Sequence, residues 1–124
     1  MTDLTAAEIV TAALQKDPDI VGIFAANLFA AEGSATGVQQ AGKQGQVTIV
    51  GFDAGPAQVK ALEAGTVQAL VAQEPATIGQ DGVQQAIAAL KGEPTEAKIQ
   101  TGFTILTKDN IDTDGKDAVY KSSC

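Results

Sequence analysis

The stretch VTIVGFDAGPAQVKALEAG, residues 47–65, holds the unit from which the fold follows. Its first six residues are an apolar run with β-branched side chains, the pattern of a strand covered on both faces. Asp53 is the first polar side chain after that run. Gly55-Pro56 then turns the chain. Proline suits the first turn of a helix, where its missing N–H would have no intrahelical partner. The predicted helix reaches about Ala64, and Gly65 caps it.

The same unit recurs on either side. Residues 20–26 and 67–72 are short apolar runs that read as buried strands. Residues 5–16 carry Ile9, Val10, Ala13 and Leu14 at helical spacing, with Thr5 and Glu8 as a capping pair. Asp17-Pro18-Asp19 stops that helix. A second helix is predicted from Leu28 to about Ala41, ended by Gly42, and a longer one over residues 77–91, closed by Gly92. Residues 99–106 alternate and predict a half-exposed fourth strand. Residues 107–124 are polar and read as a loosely held tail. Strands alternating with helices predict a layered α/β fold with parallel pairing.

The 124 residues suit one domain. Aromatics make up 4% and tryptophan is absent, so the core must be built from aliphatic side chains. Fifteen acidic residues face eight basic ones, all lysine, for a net charge of −7. That balance argues against nucleic acid and anionic membrane surfaces as partners, since both recruit clustered Lys and Arg. With no histidine, Ser-His and Cys-His nucleophile pairs and histidine metal ligands are excluded. No catalytic residue, metal ligand or cofactor is expected. Cys124, the one cysteine, has no intramolecular partner and could pair only between chains. The longest apolar stretch, residues 20–31, is broken by Asn27 and too short to span a bilayer. The opening MTDLTAAEIV lacks the basic start and apolar core of a signal peptide.

In an open parallel sheet, ligands bind beyond the carboxyl ends of the strands. The first polar residues after the three apolar runs are Asn27, Asp53 and Gln73. Neighbouring strands about 5 Å apart would set these side chains on one rim. Amides and a carboxylate offer the donors and paired acceptors that vicinal hydroxyls need. The competing role is local, because Asn and Asp also favour helix N-caps and turns.

These residues bring a family into view. IFAAN (residues 23–27), IVGFD (49–53) and ALVAQEP (69–75) resemble the ribose-binding group of periplasmic sugar-binding proteins in order and spacing. So do Ile78-Gly79-x-x-Gly82-Val83 and the ending Leu90-Lys91-Gly92. The resemblance runs from about Thr5 to Asn110. It implies half of a periplasmic binding protein: a flavodoxin-like, three-layer parallel sheet, truncated. Family chains are more than twice this length. Residues 1–106 would then be a partial C-terminal lobe, including the helix and strand that cross back toward the other lobe, with 107–124 as the polar tail. The resemblance assigns Asn27, Asp53 and Gln73 to sugar hydroxyls. It implies a sugar or polyol ligand, an ABC transporter as membrane partner and a periplasmic full-length protein. The family commonly has aspartate after the asparagine; Leu28 here puts ribose itself in doubt. The helix at 77–91 would normally pack on the absent lobe. Its apolar face (Ile78, Val83, Ala86, Ile87, Leu90) predicts self-association as a homodimer. An alternative with the same fold is the effector-binding part of a sugar-responsive transcription repressor.

Three near-motifs are set aside. Gly37-x-x-x-x-Gly42-Lys43 ends in Gln44 rather than a hydroxyl residue, so it lacks the Mg²⁺ ligand of a phosphate loop. Asn110-x-Asp112-x-Asp114-Gly115 opens like a calcium loop but has Lys121 at the twelfth position. Asp53 and Glu74 could be drawn as an acid/base pair, but Glu74 precedes Pro75 and is expected to point away. Gly33-x-x-x-Gly37 suggests close packing of the second helix on the sheet.

Overall fold

The computed structural model describes residues 2–121. Its elements are α1 (Asp3–Lys16), β1 (Gly22–Ala25), α2 (Leu28–Gln40), β2 (Thr48–Phe52), α3 (Pro56–Ala64), β3 (Ala69–Gln73), α4 (Pro75–Lys91) and β4 (Phe103–Thr107), then a 3₁₀ turn at Lys116–Ala118. The predicted order of helices and strands is present throughout. The expectation for Cys124 lies outside the described residues.

The strands form one sheet in the order β1-β2-β3-β4. β1 pairs with β2 and β2 with β3 in parallel, with Ala25 opposite Gly51 and Gly51 opposite Leu70. The sheet thus grows in one direction, and right-handed crossovers then put α2 and α3 on the same face. That face is closed. Ile49, Leu70, Ala72 and Leu106 are fully buried, together with Leu62 of α3 and Val38 of α2.

Two features depart from the alternation logic. First, β4 runs antiparallel to β3, with Gln73 opposite Phe103 and Ala69 opposite Thr107. A parallel crossover needs its helix to lie across the sheet and return the chain to the amino-terminal end. α4 contributes no buried residue. The chain therefore re-enters at the carboxyl end of β3 and descends. Second, a third layer is missing among the described residues. Phe24 (62% exposed), Phe103 (63%) and Ile105 share the far face with half-buried Val50, Phe52 and Val71. The apolar stripe of α4 is likewise open, with Leu90 88% exposed.

Three local expectations need correction. α1 starts earlier than the Thr5–Glu8 pattern suggested: Thr2 is its N-cap, and its hydroxyl accepts from Thr5 N at 3.3 Å. Asp3 in the first turn adds a favourable charge at the positive end of the helix. Gly33 and Gly37 pack against α1, not the sheet. A β-carbon at Gly37 would lie 2.7 Å from the Ala7 carbonyl and 2.8 Å from Val10 Cβ. Thr11 Oγ1 bridges the contact, donating to Ala7 O at 2.8 Å and Gly37 O at 3.3 Å. Finally, residues 107–121 are not loosely held. Ile111 is 4% exposed, and Ala118, Val119 and Tyr120 pack on the core. Their polar composition hid this because only a few apolar side chains are needed to seal the end of one strand.

Candidate functional site

The carboxyl ends of β1, β2 and β3 each run into a helix, and the three predicted site residues sit at those junctions. Asp53 follows β2 directly. Its backbone N–H donates to Val71 O at 2.9 Å, which continues the ladder one step beyond the strand. Its φ is +81°, the only non-glycine residue with positive φ among those described. Aspartate tolerates this left-handed region better than most side chains. Such outliers cost of order 1 kcal/mol and concentrate where a side chain must be aimed.

The turn beneath Asp53 is fixed by a buried glutamine. Gln58 donates from Nε2 to Phe52 O at 2.8 Å and accepts from Gly55 N at 3.0 Å. It is 1% exposed, so losing either bond would strand a polar group without water. Leu28, at the start of α2, closes over the same turn; a β-carbon at Gly55 would lie 2.5 Å from its Cδ1. The Leu28 side chain is thus engaged in packing on this turn.

Gln73 ends β3 and meets Asp53 directly. Its Nε2 donates to Asp53 Oδ1 at 2.8 Å. Both side chains are half-buried. Asn27 takes the local role. It is the N-cap of α2, and its Oδ1 accepts from Ala30 N at 2.9 Å. It stands two residues beyond Ala25 as Asp53 stands two beyond Gly51, its partner in register, so the two occupy matching positions on the rim. The structure therefore joins Asp53 to Gln73 and sets exposed Asn27 beside them with its carboxamide oxygen engaged by the helix.

Sequence reasoning missed one member of this cluster, Tyr120. Its hydroxyl donates to Asp53 Oδ1 at 3.2 Å and accepts from Gln73 N at 2.9 Å, while its own N–H donates to Ala54 O at 3.0 Å. Burial, above all, and then the negative charge of Asp53 push the phenol above its usual 10.0. A signal was available: it is the sole tyrosine of a chain poor in aromatics. Beside the cluster opens a cavity of about 770 Å³, lined by Gln73, Glu74, Thr104, Asp117, Tyr120 and others.

The rejected motifs stay apart from this chemistry. Asn110 Oδ1 accepts from Thr107 N at 2.8 Å and its Nδ2 donates to Ile105 O at 2.9 Å, so it caps the turn after β4. Among the described residues no group of three or more acidic or cysteine side chains gathers as a metal site. The Glu74 carboxylate lies against Gly102, not Asp53. Among the described residues no helix is long and apolar enough to cross a membrane.

Comparison with known proteins bears on what this rim serves. Residues 2–94 match the family described as periplasmic binding protein domain. The chain is 42% identical over 88 residues to the D-allose-binding periplasmic protein of Escherichia coli, covering 71% of this chain and 28% of that one. It is 39% identical over 95 residues to the ribose import binding protein of the same organism, covering 77% and 32%. An Agrobacterium vitis ABC transporter solute-binding protein, solved with bound α-D-tagatopyranose, superposes with a TM-score of 0.89 at 40% identity. That match covers 98% of this chain and 41% of the other. The chain spans roughly a third of the curated relatives it matches.

Proposed function

The chain belongs to the periplasmic binding protein domain family, and from that premise we propose that it carries one wall of a sugar or polyol site, formed by Asn27, Asp53 and Gln73. The observation that carries this is the 2.8 Å bond between Gln73 and Asp53, with Asp53 held at positive φ on the rim of the parallel strands. A carboxylate and an amide fixed against each other present an acceptor pair and a donor to adjacent hydroxyls. Relatives with D-allose, D-ribose and D-tagatose in their names or solved complexes support a small-sugar ligand. In the complete protein this wall is the C-terminal half of a cleft that closes on the ligand and is presented to the membrane subunits of an ABC transporter outside the cytoplasm. Residues 1–106 form the lobe portion in this proposal.

One wall supplies only part of the hydrogen bonding, so affinity in the isolated chain is weak. A ¹⁵N-labelled sample titrated with D-allose, D-ribose and D-tagatose tests both points. Amide shifts should centre on Asn27, Asp53 and Gln73, saturate only at high sugar concentration and vanish in Asp53→Ala. Shifts centred elsewhere would remove the site assignment. Sub-micromolar affinity by calorimetry would remove the half-site claim.

A further inference from the structure

We propose that Tyr120 is a positioning residue of this site, a hydroxyl that holds the Asp53 carboxylate and the Gln73 backbone in place so that Asp53 Oδ2 is left for the ligand. The inference deepens the proposed function and rests on it for the ligand, though not for the geometry. Among the described residues, the two side-chain hydrogen bonds that Asp53 accepts, from Gln73 Nε2 at 2.8 Å and Tyr120 at 3.2 Å, land on Oδ1. A carboxylate committed through one oxygen presents the other in a fixed direction. The phenol also receives Gln73 N, so one hydroxyl ties together the ends of β2 and β3. The Tyr120 N–H on Ala54 O anchors the ring from its own backbone. Ala54 is fully buried, so that anchor joins a rigid part of the core. The segment after β4 thereby becomes part of the binding machinery, reaching it across 67 residues of sequence.

The chain has one tyrosine and no tryptophan, so phenol spectroscopy reports Tyr120 alone. The first experiment is an alkaline titration of phenolate absorbance, with circular dichroism to confirm that the fold persists across the transition. Asp53→Asn should lower the midpoint, because a neighbouring negative charge that opposes ionisation is gone. A midpoint unchanged by this variant, with the fold intact, overturns the contact and the proposal with it. Where the fold is lost first, tyrosine fluorescence at neutral pH decides: release from the carboxylate should raise it in Asp53→Asn, and an unchanged yield overturns the proposal. The second experiment compares sugar shifts in wild type and Tyr120→Phe, which keeps the ring. Loss of one hydrogen bond to a carboxylate weakens affinity by about 3- to 10-fold. Equal affinity in a folded Tyr120→Phe chain overturns the positioning role. A wild-type chain that binds none of the sugars counts against the proposed function, and the spectroscopic arm still decides whether Tyr120 holds Asp53.

Discussion

On one face of the sheet Ile49, Leu70 and Leu106 are enclosed by α2, α3 and the segment after β4; on the other, Phe24, Phe103 and Ile105 stand largely in the open. The two faces are alike in chemistry, and both come from strands that read as apolar on either side. Topology separates them. Each right-handed crossover adds a helix to the same face as long as the strands advance in one direction. Covering the second face requires either a reversal of strand order or a helix from elsewhere. α4, the one remaining apolar helix, does not lie on it. Apolar patterning therefore states what a face can bury, while strand order states whether this stretch of chain buries it.

The contrast can be broken by substitution. Leu70→Ala should cost about 2–5 kcal/mol, the range for a large aliphatic side chain deleted from a closed core. Ile105→Ala, on the open face, should cost less than about 1 kcal/mol, because little packing is lost. Urea unfolding followed by circular dichroism measures both. Equal losses would mean the far face is covered in solution. Gly37→Ala sharpens a different part of the comparison, the seam between α1 and α2. Alanine gains about 1 kcal/mol of helix propensity over glycine. A β-carbon 2.7 Å from a backbone oxygen outweighs that gain, so a net loss of about 1–2 kcal/mol is expected in thermal melts. Asn27→Ala should remove about 1 kcal/mol by uncapping α2, and Asn27→Asp should restore most of it. A cap-sized loss with unchanged sugar shifts would reduce Asn27 to its local role. The smallest effect is on α4: Ile87→Ser should leave the unfolding free energy within about 0.5 kcal/mol of wild type. Light scattering on the same variant should show less self-association than wild type, if the exposed stripe is what brings copies together.

Much of this arrangement is legible in the sequence. The apolar runs, Pro56 and the glycine caps mark all eight main elements, because those signals act over a few residues. Asp53 and Gln73 are legible because strand ends in a parallel sheet share a rim. What escapes is decided at long range. The direction of β4 depends on where α4 does not pack, which no local pattern encodes. The role of Tyr120 depends on a segment whose composition reads as solvent-exposed and whose contacts lie far away in sequence. Gly33 and Gly37 announce a close approach, yet whether a sheet or a helix approaches is settled only by α1 lying alongside.

The antiparallel pairing of β4 has one more consequence. Gln73 and Phe103 sit opposite each other, so the chain leaves the sheet and returns at the same place. Residues 74–102 are therefore topologically an oversized hairpin loop, an arm hung on two adjacent attachment points. Closing so long a loop costs about 1–2 kcal/mol more entropy than a tight turn would, by the logarithmic dependence on loop length. The arm adds no rung of its own: the β3–β4 ladder runs from Gln73 opposite Phe103 to Ala69 opposite Thr107 without it.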